Sequence, residues 1–194
     1  TGGLTQAANA VLNIGGTSGI TTLTASNSGN TVNYTGAAQT VHANNYFNLA
    51  LAGSAAKTLQ AGTTAIAGNL TLTGTATTTT VAGLNISGNL SIGDGTTFTA
   101  AGFALTVTGT TSVGTGTNGN LVISSATGTK IFTGLVTVNP GGVWNNSGNS
   151  PVTFRGGITD NGTFTAGTGV QTFDTNPQAL SGNAFIIPSV TVTG

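Results

Sequence analysis

The sequence predicts an all-β protein folded as a parallel β-solenoid (β-helix), with coils of roughly 15–20 residues and little or no helix. Three observations predict this fold: short runs alternate aliphatic and hydroxyl residues, turns of Gly, Asn and Thr separate the runs, and the runs recur at a regular step. The runs occupy residues 70–74, 84–88, 90–93, 105–109, 121–124, 136–139 and 152–155. From residue 90 onward they start at 90, 105, 121, 136 and 152, a step of about 15 to 16 residues.

Each run supplies one small apolar row that a single coil cannot bury. Stacking coils at the strand spacing of about 4.8 Å buries that row continuously and satisfies the backbone through parallel ladders. The pairs predicted to point inward are Leu70/Leu72, Leu105/Val107, Leu121/Ile123 and Val136/Val138. Because the alternation leaves one side of each strand polar, that side is expected to face water. An antiparallel β-sandwich made of the same strands is the alternative.

The first thirty residues already show the pattern. Residues 11–14 form one strand and end at a Gly-Gly pair, and residues 20–24 form a second strand before the turn at 27–30. The alanines at 7, 8 and 10 permit a helical turn. Strand and turn are preferred there, because no N-cap or charge pattern supports a helix.

A longer motif occurs twice, about 140 residues apart. Residues 32–53 combine an aromatic residue, Gln39, a second aromatic residue and a Leu-Ala-Leu strand, and residues 172–194 repeat this order with two extra residues near Pro188. We therefore expect residues 1–194 to form one continuous solenoid segment that carries a long module repeat. Because the chain begins with Thr1 and ends inside this motif, we also expect it to be part of a longer polypeptide.

The composition excludes several classes of function. Charged residues make up 3% of the chain and the net charge is zero, whereas a usual soluble domain has about 25% charged residues. Nucleic-acid binding requires a Lys/Arg footprint, so no such partner is expected. The chain has no cysteine, which excludes disulfides and thiolate metal sites. No apolar run approaches the roughly 18 residues of a membrane span, and we expect no metal or cofactor.

The few ionisable residues offer little for catalysis. The carboxylates are Asp94, Asp160 and Asp174, and the last two lie about one predicted coil apart, so they could stack on one face beside Arg155, as a polysaccharide-acting enzyme would need. Solvated turn aspartates are the preferred interpretation, because shifted carboxyl pKa values need charged neighbours that the chain lacks. Gly-Asp94-Gly is interpreted as a turn, and His42 has no partner for a triad or metal site. We predict that the chain is not an enzyme.

The aromatic residues are the main candidate site residues. They are Tyr34, Tyr46, Phe47, Trp144, Phe173 and Phe185. They are most simply core residues or module-junction residues, and an exposed member or Trp144 would provide a surface for stacking a glycan. Alternating threonines at 71/73, 106/108 and 191/193 solvate the outer faces. On a flat face such rows could also order water and bind ice.

At the motif of residues 32–53 and 57–74 the chain resembles the large β-strand-repeat proteins of bacterial surfaces. These are tandem solenoids in the style of filamentous-haemagglutinin-like adhesins and autotransporter passengers. The resemblance implies secretion, an extracellular or cell-surface location and a scaffold or adhesive role, and it carries over no catalytic residues.

The expected function is therefore structural. We expect a repeat or subunit of a secreted fibre that assembles head-to-tail with itself through exposed strand edges, with lateral bundling through its uncharged faces. The alternatives are an adhesin or glycan-binding module and, after it, an ice-binding module.

Overall fold

A computed structural model describes residues 2–175 and 177–194, and over those residues it contains strands and turns but no helix. The strands stack in about nine coils of about 21 residues, so the predicted all-β solenoid is confirmed with a slightly longer coil. Every strand pairing is parallel, as between Leu90 and Thr111 and between Thr111 and Val136. The alternative of an antiparallel sandwich is wrong.

The strands are short, as expected where each crosses only one side of a coil. In chain order they are β1 Gly2–Thr5, β2 Val11–Ile14, β3 Ile20–Thr24, β4 Thr31–Tyr34, β5 Gln39–Thr40, β6 Asn48–Leu51, β7 Ser54–Thr58, β8 Ala65–Ile66, β9 Leu70–Leu72, β10 Thr75–Thr79, β11 Leu84–Ile86, β12 Leu90–Ile92, β13 Thr97–Ala100, β14 Leu105–Val107, β15 Thr111–Val113, β16 Asn120–Ile123, β17 Lys130–Phe132, β18 Val136–Val138, β19 Val143–Asn145, β20 Val152–Phe154, β21 Ile158–Asp160, β22 Thr163–Thr165, β23 Gln171–Phe173, β24 Leu180–Gly182 and β25 Val190–Val192.

Three parallel sheets enclose the core, and we call them faces 1, 2 and 3. Face 1 contains the nine strands β2, β4, β6, β9, β12, β15, β18, β21 and β24. Face 2 contains β5, β7, β10, β13, β16, β19 and β22, and face 3 contains β8, β11, β14, β17, β20, β23 and β25. Bridges from Ala25 to Tyr46 and from Tyr46 to Ile66 connect face 3 to the sheet of β1 and β3. The chain visits the faces in the order 1, 2, 3, so one coil contains three strands.

This order explains the step of about 15 to 16 residues. The runs at 90, 105, 121, 136 and 152 are β12, β14, β16, β18 and β20, which lie on faces 1, 3, 2, 1 and 3. Each step therefore advances two faces, which is two thirds of a coil. All three faces carry the same alternating pattern, so the step in the sequence joins strands that lie two faces apart. The full coil contains three strands and is therefore longer than the step.

Stacked side chains form continuous columns inside the coils. On face 1, Leu49, Leu70 and Leu90 follow one another in register and are fully buried. The four pairs predicted to point inward are all buried. Toward the C-terminal coils the columns become aromatic, with ring centroids of Phe132, Trp144, Phe154, Phe164, Phe173 and Phe185 separated by 5.0–6.3 Å. The core is one unbroken cluster.

Asparagine side chains tie successive coils together at the corner between faces 3 and 1. Asn48 Oδ1 accepts the N–H of Asn69 at 2.9 Å, Asn69 Oδ1 accepts that of Asn89 at 2.8 Å, and Asn89 Oδ1 accepts that of Thr110 at 2.9 Å. Each amide satisfies a backbone donor that the turn leaves outside the sheet ladder. Asparagine at this position therefore contributes to coil stacking.

Candidate functional site

Most of the candidate aromatic residues lie inside the coil. Tyr34, Tyr46 and Trp144 are at most 1% exposed, and Phe173 is 6% exposed. Phe47 is half-buried, and so is Phe185, whose ring lies 5.0 Å from that of Phe164. Because stacking on a sugar requires an open ring face, the four buried residues offer no surface to a glycan.

The two tyrosines of the first motif hold a corner of the chain through their hydroxyl groups. Tyr34 Oη accepts the N–H of His42 at 2.9 Å, and Tyr46 Oη donates to the carbonyl of His42 at 2.7 Å. Burial and the neighbouring Tyr34 raise the pKa of Tyr46 far above its ordinary value. His42 thus has a structural role through its backbone. The second motif has Phe173 and Phe185 at the equivalent positions, which pack without these hydrogen bonds.

The structure does not bring Asp160 and Asp174 together on one face. Asp160 is the last residue of β21 on face 1 and is 2% exposed, with Oδ1 accepting the N–H of Gly162 at 3.0 Å. Asp174 follows β23 on face 3 and pairs with Arg155 at 2.9 Å, and this hydrogen bond lowers the pKa of Asp174. The alternative that both stack on one face is wrong, because their separation along the chain is about two thirds of a coil. The preferred interpretation as a solvated turn residue is wrong for Asp160, which is buried at the end of a strand. The ion pair is partly exposed at the surface and contributes little stability.

Asp94 organises the longest turn between faces 1 and 2. Its Oδ1 accepts the backbone N–H groups of Thr115, Gly116, Thr117 and Asn118 at 2.8–3.3 Å, and its Oδ2 accepts the hydroxyl of Thr115 at 2.7 Å. Hydrogen bonds to the charged form stabilise a carboxylate. The backbone N–H of Thr115 is the largest cause that lowers the pKa of Asp94 below its ordinary value. Asp94 therefore lies in a turn, as predicted, and its carboxylate also holds the turn of residues 115–118 in the next coil.

Replacing Asp94 with Asn should loosen this turn and remove an acid-sensitive contribution to stability. A carboxyl group whose folded pKa lies below its ordinary value of 3.8 stabilises the fold above that pH, and the contribution disappears as the pH falls toward the folded value. Hydrogen exchange should show faster exchange of the amides of residues 115–118 in Asp94→Asn. The difference in unfolding free energy from the parent protein should shrink below about pH 4.

Asp174→Asn is the matched control for this prediction. It removes an aspartate whose contact is the exposed ion pair with Arg155, so exchange at residues 115–118 should not change. Equal exchange rates at those amides in the parent and in Asp94→Asn would contradict the anchoring role.

Two buried lysines are structural residues that sequence reasoning missed. Lys57 and Lys130 are at most 1% exposed, although each is the only charge on its strand. Lys130 Nζ donates to the carbonyls of Phe103, Thr127 and Gly128 at 2.8–2.9 Å. Burial lowers the pKa of both lysines. The alternating pattern does indicate that Lys130 is buried, because Lys130 lies two residues before the inward residue Phe132 and so points to the same side of the strand.

The Lys57 ammonium group closes a corner in the same way. Its Nζ donates to the carbonyls of Gly36, Ala37 and Ser54, two of which belong to the preceding coil. Three carbonyl acceptors satisfy all three donors of the ammonium group. The lysines therefore connect neighbouring coils from within, and they do not form a basic surface.

The threonine pairs lie on different faces. Thr71 points outward on face 1, whereas Thr106 and Thr191 point outward on face 3. In-register outward threonines occur instead on face 2, where Thr77 pairs with Thr97 and Thr79 with Thr99. Asn120 and Val122 continue these two rows in the next coil, so the threonine rows are interrupted.

Several exposed apolar side chains lie together on the C-terminal coil. Leu180, Val190 and Val192 continue inward columns, yet they are 50%, 54% and 69% exposed. One coil earlier, the residues in the same columns, Ile158, Gln171 and Phe173, are at most 6% exposed. A groove of about 560 Å³ opens at this coil end between β22 and residues 183–188. The coil end therefore presents apolar side chains and a strand edge together.

Comparison with family models, curated proteins and solved structures finds no match to the chain. The part of the chain that the structure describes contains no helix long and apolar enough to cross a membrane. Nor do residues 2–175 and 177–194 contain a group of three or more His, Asp or Glu side chains placed to hold a metal ion.

Proposed function

We propose that the chain is a structural segment of a secreted, cell-surface fibre or stalk in which coils continue head-to-tail. The observation that carries this proposal is the exposure of apolar inward residues on the C-terminal coil. Val192 is 69% exposed, whereas Phe173 directly before it in the same column is 6% exposed. In a stacked fold such a residue becomes buried only when another coil covers it.

The geometry of the stack suits a load-bearing rod. About nine coils at the parallel strand spacing of about 4.8 Å correspond to a rise of roughly 43 Å per chain. The core columns run along the axis, and the asparagine contacts join the coils between Asn48 and Thr110, so coils added at an end extend the same cross-section. A chain with only 3% charged residues also has a surface that allows close lateral packing.

The location at the cell surface is supported by the resemblance of residues 32–53 to bacterial surface repeats. Scaffold proteins of that style act through length and attachment. Antibody labelling of intact cells that produce the protein tests this part of the proposal, and labelling only after the cells are opened would contradict it.

Placing a charge on the exposed coil end should block assembly. Val192→Asp adds a carboxylate to the apolar coil end, where stacking would bury it without a partner at a cost of several kcal/mol. Sedimentation velocity and negative-stain electron microscopy should show concentration-dependent rods for the parent protein and single short particles for Val192→Asp. Both proteins should keep the same far-ultraviolet circular dichroism spectrum.

Thr191→Asp is the matched control, because Thr191 is the neighbouring residue and points outward. It adds the same charge to the same strand, and assembly should continue. A parent protein that stays monomeric at every concentration would overturn the proposal, and so would equal assembly of the parent and Val192→Asp.

A further inference from the structure

We infer that Asn161 is a site of self-modification, at which the side chain loses ammonia through a cyclic imide formed with Gly162. The inference is independent of the proposed fibre function. It concerns a chemical change in the chain itself, with water as the only other reactant.

The sequence limits where this chemistry can occur readily. The backbone nitrogen of the residue after an asparagine attacks the side-chain Cγ, and glycine favours the attack because it has no Cβ to hinder the approach. The chain contains two Asn-Gly pairs, Asn118-Gly119 and Asn161-Gly162. They provide an internal comparison within one molecule.

The structure restrains the first pair. Asn118 Oδ1 accepts the N–H of Gly95 at 2.8 Å and the hydroxyl of Thr117 at 3.3 Å. Asn118 also lies in the turn that Asp94 holds through four backbone N–H groups. Because attack on Cγ requires the side chain to rotate over the next nitrogen, these contacts oppose the reaction at Asn118.

The second pair has a free side chain. Asn161 is exposed, and within residues 2–175 and 177–194 its side-chain amide makes no hydrogen bond. Its backbone N–H is held, by donation to the carbonyl of Val138 at 2.7 Å. The side chain can therefore rotate while the backbone stays in place.

A carboxylate lies next to the attacking nitrogen. Asp160 Oδ1 accepts the N–H of Gly162 at 3.0 Å, and Asp160 is buried in the core. When the nitrogen of Gly162 bonds to Cγ of Asn161, Asp160 accepts the nitrogen's proton and returns it to the departing amine. Ammonia leaves, the ring closes, and water then opens the imide to aspartate or isoaspartate. A positioned general base contributes typically 10²–10⁴-fold to such a proton transfer.

The product changes a short connection between two strands of the coil. Asn161 and Gly162 are the only residues between β21 and β22, and the connection is held by Asn161 N to Val138 O at 2.7 Å and Thr163 N to Gly142 O at 3.0 Å. Isoaspartate inserts an extra backbone carbon between these two bonds, and either product takes the chain from zero net charge to one negative charge. The reaction therefore weakens this corner of the stack with time.

Peptide mass mapping of the full chain, incubated at neutral pH and physiological temperature, tests the inference. We expect a mass increase of about one dalton and isoaspartate at Asn161, formed about tenfold or more faster than at Asn118, with one ammonia released per conversion. Asp160→Asn, which keeps the size of the buried side chain, should slow the reaction at Asn161 and leave Asn118 unchanged.

Incubation in guanidinium chloride provides the control for folding. Unfolding separates Asp160 from its fixed position and frees Asn118, so the two sites should then react at similar rates. Equal rates in the folded protein would overturn the inference. An undiminished rate at Asn161 in an Asp160→Asn variant with the parent circular dichroism spectrum would overturn the role of Asp160.

Discussion

Replacing Gly74 with alanine is expected to destabilise the protein by about 3–5 kcal/mol. Gly74 lies in the turn between β9 and β10 with φ at +70°, and a Cβ built there would be 2.2 Å from the carbonyl oxygen of Gly53. Alanine in the left-handed region costs about 1–3 kcal/mol by itself. The carbonyl of Gly53 cannot move aside, because it accepts the N–H of Thr75 at 2.8 Å.

Gly83→Ala in the same coil is the control. Gly83 lies outside the left-handed region, and a Cβ there would approach nothing closer than 3.8 Å, so the cost should stay below about 1 kcal/mol. Denaturant unfolding followed by far-ultraviolet circular dichroism measures both variants. Equal stabilities of the two variants would show that the turns are not stacked as closely as the structure has them.

The inward residues could be predicted from the sequence, because successive side chains of a strand point to opposite sides and this alternation depends only on neighbouring residues. In Leu70–Leu72 and Leu105–Val107 the alternation alone identifies the buried side chains. The face on which each strand lies could not be predicted. All three sides of a coil repeat the same pattern. Runs that lie two faces apart therefore cannot be distinguished in the sequence from runs that lie one whole coil apart.

The module repeat illustrates the same ambiguity. Tyr34 lies on face 1, whereas the matching Phe173 lies on face 3, so the two copies of the motif begin on different sides of the coil. Each copy still spans one complete turn of the chain, from Tyr34 to Leu51 and from Phe173 to Val192. The sequence pattern thus predicts a coil but not its orientation about the axis.

The buried lysines could not be predicted for a different reason. A lysine on a strand is normally a solvated charge, and its burial here depends on three carbonyl groups, of which some are local and the others belong to the preceding coil. For Lys130, the acceptor of Phe103 comes from the preceding coil. This arrangement of carbonyl groups forms only in the folded stack. The one signal in the sequence is that the lysine occupies an inward position of the alternating pattern.

Replacing Trp144 with alanine should cost about 3–5 kcal/mol, the usual range for removing a large aromatic residue from a core. The indole ring is fully buried, with ring centroids 5.0 Å from Phe132, 5.6 Å from Phe154 and 5.3 Å from Phe164. These rings come from three successive coils: the coil before that of Trp144, its own coil and the next one. A cavity at Trp144 would therefore remove contacts both within its coil and to the neighbouring coils.

Trp144→Phe separates the loss of volume from the loss of the indole nitrogen. Trp144 Nε1 has no hydrogen-bond partner within the described residues, so phenylalanine loses only part of the packing and should cost about 1–2 kcal/mol. Because Trp144 is the sole tryptophan, unfolding should be followed by circular dichroism. If Trp144 instead formed an exposed platform for sugars, Trp144→Ala would change stability by no more than about 0.5 kcal/mol. A value that small would place the ring outside the core and restore the glycan-binding interpretation of this residue.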